Sequence, residues 1–252
     1  MTKSIGVAGK GGVGKTSIAA LMLKRLLEED LEILVVDADP NECLPDALGV
    51  EKYRTLAEIV EKYTGSSVNP EKFMADFETL LFENEQDGFD LLVMGRGEKE
   101  GCYCAINNYL RRTFEEIILK KYSYDVILMD CEAGLEHLSR KTSGALDELV
   151  VVSDSSKTSL RTIERIRDVA RSVKKEIKRF HVLGNKIDES FEDELRRTAE
   201  NVNMNYLGFV PHDEVVAEFN ARGRSLLEIP DDSKAYKKVR EVVSQLILNE
   251  NE

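Results

Sequence analysis

The chain has no hydrophobic run long enough to cross a membrane and too little positive charge for a nucleic-acid binder. Its 252 residues include 35 lysines and arginines against 47 aspartates and glutamates, for a net charge of −12. A nucleic-acid binder needs a basic face, docking on anionic lipid also needs basic residues, and a spanning helix needs about 20 consecutive apolar residues. We therefore expect a protein that binds neither nucleic acid nor membrane.

The sequence also has no internal repeat, no low-complexity linker and no signal-peptide pattern, since an apolar strand pattern starts at Ser4. Its cysteines number only four. In an intracellular chain, cysteines more often bind metal, take part in redox chemistry or pack in the core than form disulfides. We expect a cytoplasmic protein with a single domain over residues 1–252.

Short runs rich in Val, Ile and Leu alternate with amphipathic segments. The predicted strands are Ser4–Ala8, Glu32–Val36, Leu91–Met94, Asp125–Met129, Leu149–Val152, His181–Gly184 and Tyr206–Phe209. The predicted helices include Leu56–Tyr63, Tyr109–Lys120, Ser159–Lys174, Glu192–Val202 and Tyr236–Leu248. This alternation predicts an α/β fold, with a mainly parallel, twisted sheet covered by helices on both faces. The polar, irregular segment Tyr53–Gln86 is predicted to be an insertion of short helices on the rim.

A phosphate-binding loop is the clearest motif. Residues Gly9–Thr16 read G-K-G-G-V-G-K-T and satisfy the pattern G-x-x-x-x-G-K-[ST], between a predicted strand and the helical pattern Ser17–Leu27. Backbone N–H groups of such a loop point at phosphate oxygens, beside the positive end of a helix dipole. Lys15 would reach the β- and γ-phosphates, and the Thr16 hydroxyl would hold Mg²⁺. We predict a nucleoside triphosphate site formed by Gly11, Gly12, Val13, Gly14, Lys15, Thr16 and Ser17.

Acidic residues follow two of the predicted strands. Asp37 and Asp39 lie just past the second strand, and Asp130 follows Asp125–Met129. Carboxylates at strand ends beside a phosphate loop can hold Mg²⁺ or its water molecules and orient an attacking water. We expect Asp39 and Asp130 to serve the magnesium site, and Asp37 to have a structural role.

Lys10, directly after the first glycine of the loop, resembles the signature lysine of the deviant P-loop family that includes MinD, ParA and the nitrogenase iron protein. The resemblance implies an ATP hydrolase that works as a homodimer, in which Lys10 reaches into the neighbouring site and assists hydrolysis together with Lys15. It also implies that Asp39, in the sequence D-A-D-P, assists hydrolysis, and that Gly134 senses the γ-phosphate after the Walker B residue Asp130.

The same resemblance assigns Asn185 and Lys186 to the nucleotide base, with Val210 and Pro211 offering backbone contacts to adenine. The residues Asn185-Lys186-Ile187-Asp188 also satisfy N-K-x-D, the guanine-reading motif of GTPases. The family mostly uses ATP, so ATP is favoured over GTP, and Asp188 keeps GTP as the alternative.

Cys102 and Cys104 lie two residues apart in a predicted loop. Two thiolates are an incomplete site, since Zn²⁺ and similar ions prefer about four ligands. A two-fold dimer that shares both pairs would supply four. The surrounding residues, with Asp130-Cys131-Glu132-Ala133-Gly134-Leu135-Glu136-His137, resemble the CooC-type ATPases. That resemblance implies Ni²⁺ or Zn²⁺ at the dimer interface and apo-carbon monoxide dehydrogenase as the client for nickel insertion.

Two other functions remain open. One is a spatial-organisation ATPase like MinD and ParA, against which the acidic end Asn249-Glu250-Asn251-Glu252 argues. The other is an iron–sulfur electron-transfer ATPase like the nitrogenase iron protein, because four thiolates on an axis could also hold a cluster. Cys131 and the histidines His137, His181 and His212 are expected to be structural.

Overall fold

The computed structural model describes residues 2–63, 69–96, 122–131, 146–172 and 177–248. The predicted helix Tyr109–Lys120, the pair Cys102 and Cys104, and the second-switch residues Gly134 and His137 lie outside these ranges.

The described residues form one sheet of eight strands, in the order β3-β4-β2-β5-β1-β6-β7-β8. All neighbouring strands are parallel except the two-residue β3, which is antiparallel to β4 at one edge. The strands are β1 Lys3–Gly9, β2 Ile33–Ala38, β3 Glu85–Gln86, β4 Phe89–Val93, β5 Val126–Cys131, β6 Leu146–Ser153, β7 Ile177–Asn185 and β8 Asn205–Val210.

Helices cover both faces of the sheet. They are α1 Lys15–Leu26, α2 Cys43–Leu48, α3 Leu56–Tyr63, α4 Pro70–Glu83, α5 Lys157–Ser172, α6 Glu192–Asn201, α7 Glu214–Ala221 and α8 Lys234–Leu248. Successive residues of a strand alternate between faces. Leu34 and Val36 of β2 therefore join the core under α3, α4, α5 and α6. Ile33 and Val35 join the core under α1, α2, α7 and α8.

This architecture confirms the predicted α/β fold with a mainly parallel sheet. Since both faces are covered, the central strands are apolar along most of their length, which is why their sequence pattern is continuous rather than alternating. Helix α3 has the predicted bounds. Strand β7 begins four residues before its prediction, because the half-exposed start of this strand includes Lys178 and Arg179 and does not read as an apolar run.

The prediction for Tyr53–Gln86 was right about helices and wrong about their place. Helix α4 has 14 residues, begins after the capping residue Asn69 and carries Pro70 in its first turn. Phe73, Phe77, Leu80 and Leu81 are buried in the core. Their spacing is that of one helical face, so α4 packs this face into the core and does not lie at the rim.

A buried ionic cluster lies near the amino ends of the central strands. The Glu148 carboxylate accepts hydrogen bonds from Arg179 and pairs with the Lys3 ammonium at 2.9 Å and with His181 Nε2 at 2.6 Å. Burial alone would raise the pKa of Glu148, but these cationic and hydrogen-bonding partners lower it to about 2. The cluster joins β1, β6 and β7, and this placement fits the expected structural role of His181.

Within the described ranges, no helix is both long and apolar enough to cross a membrane.

Candidate nucleotide site

The phosphate loop connects the carboxyl end of β1 to the start of α1, in the middle of the sheet. Gly9 and Gly14 have φ values of 147° and 92°, which side chains of L residues rarely allow. A Cβ on Gly9 would lie 2.3 Å from the Val152 carbonyl oxygen, and one on Gly14 would lie 2.5 Å from Asn185 Nδ2. Gly9 and Gly14 are therefore required by backbone conformation and by close packing against the neighbouring strands.

The predicted magnesium residues Thr16 and Asp130 are in direct contact. The Thr16 hydroxyl donates to Asp130 Oδ2 at 2.6 Å, which joins the first turn of α1 to the end of β5. The second carboxylate oxygen, Oδ1, is buried and has no hydrogen-bond partner in the described part of the chain. A hydroxyl oxygen and a carboxylate with a spare buried oxygen are the hard ligands that Mg²⁺ prefers, so these residues fit the ion.

Two buried carboxyl groups lie side by side at the ends of β2 and β5, where Asp37 and Asp130 are register partners. Burial raises the pKa of Asp37 to about 7, although the amides of Asp39 and Leu44 each donate to it at 3.0 Å. Burial raises the pKa of Asp130 to about 6, against the opposing effects of Thr16 and Lys15. The site thus concentrates negative charge where a cation would relieve it.

Of the predicted catalytic residues, Lys15 and Asp39 act electrostatically on Asp130. Lys15 is buried, whereas Lys10 and Asp39 are half-buried. The Asp39 carboxylate accepts from the Asn41 backbone amide at 3.0 Å and from its side-chain amide at 2.8 Å, which fixes the turn after β2. Asp39 also contributes to the raised pKa of Asp130, so the two carboxylates are electrostatically coupled.

Lys10 is close enough to Asp154 for its charge to act on that carboxylate. Asp154, just past the end of β6, is buried enough to raise its pKa, but hydrogen bonds from Ser156 and Ser159 and the charge of Lys10 lower it overall. Lys10 therefore has an acidic neighbour within its own chain.

A cavity of about 100 Å³ lies beside the loop, and five of the predicted nucleotide-binding residues line it together: Ser17, Asn185, Lys186, Val210 and Pro211. Most of its exposed wall is apolar, as a base pocket requires, with Ile18, Leu21, Val216 and Ala217 among the lining residues. Asn185 Nδ2 donates to the Val13 carbonyl at 2.8 Å and so ties the phosphate loop to β7. The Lys186 amide donates to the Val210 carbonyl at 2.9 Å.

Sequence reasoning missed the contribution of α7 to this cavity. Asn220 of α7 donates to the Ser17 hydroxyl at 3.2 Å, and His212 and Asp213, just before α7, line the wall. No sequence motif marked the eight-residue α7, and only its capping residue Asp213 could have indicated where it begins. Asp188 is exposed and is not among the described residues that line the cavity.

The predicted metal ligands Cys102 and Cys104 lie outside the described residues. In the ranges that are described, no cluster of His, Cys, Asp and Glu is arranged to hold a metal ion. Cys131 is buried in the core at the end of β5, as expected, and Cys43 is exposed at the start of α2.

A phosphate loop between a central strand and a helix, with acidic residues at the ends of β2 and β5, defines a P-loop nucleotide-binding protein. Residues 5–227 match the family described as the CobQ/CobB/MinD/ParA nucleotide binding domain, and the chain belongs to that family.

Proteins of known sequence and structure resemble it over nearly their full length. An uncharacterized ATP-binding protein of Methanocaldococcus jannaschii is 38% identical, with 96% of this chain and 98% of the relative covered. The carbon monoxide dehydrogenase accessory protein CooC of Rhodospirillum rubrum is 29% identical, with 89% of each chain covered. The septum site-determining protein MinD of Pyrococcus horikoshii, solved with Mg-ADP, is 22% identical with a TM-score of 0.70, covering 98% of this chain and 96% of that one.

Proposed function

We propose that the protein is an ATPase that dimerises around its nucleotides, binds Ni²⁺ or Zn²⁺ through Cys102 and Cys104, and assists nickel insertion during carbon monoxide dehydrogenase maturation. The contact between the Thr16 hydroxyl and Asp130, beneath the phosphate loop, carries the ATPase part of this proposal. Membership of the MinD/ParA family and the Mg-ADP bound to a family structure support the same nucleotide chemistry.

In this proposal the loop amides and Lys15 bind the phosphates, while Asp39 orients the attacking water. Thr16 and Asp130 would hold Mg²⁺, which neutralises charge on the phosphates when it is bound. Lys10 of one subunit approaches the phosphates of the other and stabilises charge that develops as the γ-phosphoryl group departs. All these residues are on loops, first turns or strand ends at the carboxyl edge of the sheet.

The base pocket favours adenine over guanine. Reading guanine through N-K-x-D needs the aspartate as an acceptor for base N–H groups, and Asp188 does not line the cavity in the described structure. The M. jannaschii relative is also described as ATP-binding. We therefore propose ATP as the substrate, and a competition assay in which GTP displaces ATP at equal concentration would contradict this assignment.

The ATPase is tested by replacing Thr16. Thr16→Ala removes the hydroxyl that contacts Asp130, so we expect kcat to fall about a hundredfold and the magnesium dependence to weaken. The matched variant Thr16→Ser keeps the hydroxyl and should retain most of the activity. Equal activity of the Ala and Ser variants would show that this hydroxyl has no part in hydrolysis.

The cargo assignment rests on the C-x-C pair and on the likeness to an accessory protein of carbon monoxide dehydrogenase. A dimer that shares both pairs would offer four thiolates to one ion. Replacing Cys102 and Cys104 by Ala should abolish binding of Ni²⁺ and Zn²⁺ and weaken the dimer, whereas Cys43→Ala should change neither. Measuring the metal content and the molecular mass of each variant, with ATP and with ADP, tests both the metal site and the dimer.

Two outcomes of that experiment would contradict the metallochaperone assignment. Unchanged metal stoichiometry in the double variant would place the ion elsewhere. Iron and sulfide in an anaerobically purified, coloured protein would favour electron transfer, the class suggested by the nitrogenase iron protein of Methanothermococcus thermolithotrophicus, which is 22% identical.

A further inference from the structure

A single buried carboxylate connects two helices at the edge of the base cavity. Asp213 follows β8 and is 9% exposed. Its Oδ1 accepts from the Val215 amide at 2.9 Å, and its Oδ2 accepts from the Ser233 hydroxyl at 2.8 Å and the Ala235 amide at 3.0 Å. Both oxygens are therefore bonded within the protein, which fixes the position of the carboxylate.

These contacts cap the amino ends of α7 and α8 with one side chain. Val215 is in the first turn of α7, and Ala235 is in the first turn of α8, where the amides have no partner within their own helix. Ser233 completes the cap of α8, because its hydroxyl accepts from the Tyr236 amide at 3.1 Å while donating to Asp213. Two positive helix ends thus converge on one negative charge.

The charge of Asp213 is retained despite its burial. Burial would raise the pKa of this carboxyl, but the hydrogen bonds from Ala235, Ser233 and Val215 hold it below its ordinary value. Asp213 is consequently ionised at neutral pH, when the attraction to both helix ends is strongest.

The capped helices carry one side of the base cavity. Val216, Ala217 and Asn220 of α7 line it, as does Ala235 of α8. The facing wall belongs to α1 and to the ends of β7 and β8, and the phosphate loop lies beyond it. A shift of α7 against α8 would open the base pocket while leaving the loop amides in place.

Resting on the proposed nucleotide function, we infer that Asp213 is a positioning residue that sets the width of the base pocket by holding α7 and α8 together. It contributes to binding of the nucleoside part of ATP or ADP and not to binding of the phosphates. Ser233 acts in the same bridge, between Asp213 and the first turn of α8.

Calorimetric titration with two probes, ADP and inorganic pyrophosphate, both with Mg²⁺, separates these contributions. Asp213→Ala removes the bridge between the two helix ends and should weaken ADP binding about tenfold while changing pyrophosphate binding by less than about twofold. Asp213→Asn, which keeps one acceptor oxygen, and Ser233→Ala, which keeps the carboxylate, should each give a smaller loss for ADP alone.

Asn69→Ala is the matched control. It also removes a side-chain cap that accepts two backbone amides, but from α4 on the opposite face of the sheet. Its affinities for ADP and pyrophosphate should equal those of the wild type.

Equal losses for ADP and pyrophosphate in the Asp213 and Ser233 variants, or unchanged ADP affinity in all of them, would overturn the inference. If Asp213→Ala does not fold, the ADP and pyrophosphate affinities of Asp213→Asn and Ser233→Ala test the inference. Failure of the wild type to bind ADP would instead contradict the proposed function.

Discussion

At the scale of single residues, the nucleotide site is a set of buried groups that are unfavourable without their ligand. Asp130 keeps one carboxylate oxygen without a hydrogen-bond partner in the described structure, and Asp37 is fully buried next to it. Burying such groups costs free energy unless charge is compensated. In the proposed function, a bound cation would compensate the negative charge of these groups.

This arrangement predicts that the free protein becomes less stable as pH rises. The folded-state pKa of Asp37, about 7, lies above its ordinary value of 3.8, so between these values the native state binds more protons than the unfolded state. The free energy of unfolding therefore decreases as pH rises toward and through the folded-state pKa, by about 2.5 kcal/mol between pH 5 and pH 8 from Asp37 alone. Urea unfolding without nucleotide at both pH values measures it.

Asp37→Asn is the control for this prediction, since it removes one titrating group and should reduce the decrease, leaving the smaller part that comes from Asp130, whose pKa is raised to about 6. The buried Glu148 does not interfere, because its pKa of about 2 places its own contribution below pH 4.5, where stability falls as pH falls. The same pH slope in wild type and Asp37→Asn would show that Asp37 does not titrate as its burial requires.

At the scale of helices and strands, the local patterns were reliable where neighbouring residues fix the geometry. The phosphate loop could be recognised because its glycines, Lys15 and Thr16 are contiguous. The central strands could be recognised because both of their faces are buried. The contact of Asn185 with Val13, across 172 positions, and the cap of α8 by Asp213 depend on how distant elements meet, and no local pattern encodes that.

Helix α4 shows how a local pattern was misread. Charged residues between its apolar positions made the segment look polar, although Phe73, Phe77, Leu80 and Leu81 follow a helical period. The charges lie on the outer face. The apolar stripe packs on the sheet, where it shares the core with α3.

If α4 belongs to the core, substitutions of its buried and of its exposed aromatic residue should differ sharply in their effect on the free energy of unfolding. Phe77 is 0% exposed and Phe82, on the same helix, is 76% exposed. Phe77→Ala should lower the free energy of unfolding by about 3–5 kcal/mol, and the matched Phe82→Ala by less than about 0.5 kcal/mol. Chemical denaturation of both variants measures this. Similar small losses of unfolding free energy in both variants would show that α4 lies at the rim and is not part of the core.

At the scale of the whole molecule, the proposed dimer makes each nucleotide site depend on two chains. In the isolated chain, the charge of Lys10 helps to lower the pKa of Asp154, just past the end of β6. Lys15, by contrast, is buried in the first turn of α1, and in the proposed function it would contact the phosphates bound by its own chain. If Lys10 acts across the interface, its loss should affect hydrolysis much more than binding.

We therefore expect Lys10→Ala to bind ADP within about twofold of the wild type while its kcat falls about a thousandfold, as for loss of a cationic group supplied in trans. Lys15→Ala should instead weaken binding itself. The decisive measurement is the ATPase activity of a mixture of two variants. A hybrid dimer of Lys10→Ala with Asp39→Asn contains one site with an intact Asp39 and an intact Lys10 from the partner.

An equal mixture of these two inactive variants should recover about a quarter of wild-type activity, since half of the dimers are hybrids with one working site each. Recovery should disappear when the mixture is diluted below the dimer dissociation constant. Without any recovery in a mixture shown by native mass spectrometry to contain hybrids, Lys10 would act within its own chain, and the dimer would have to serve the metal site alone.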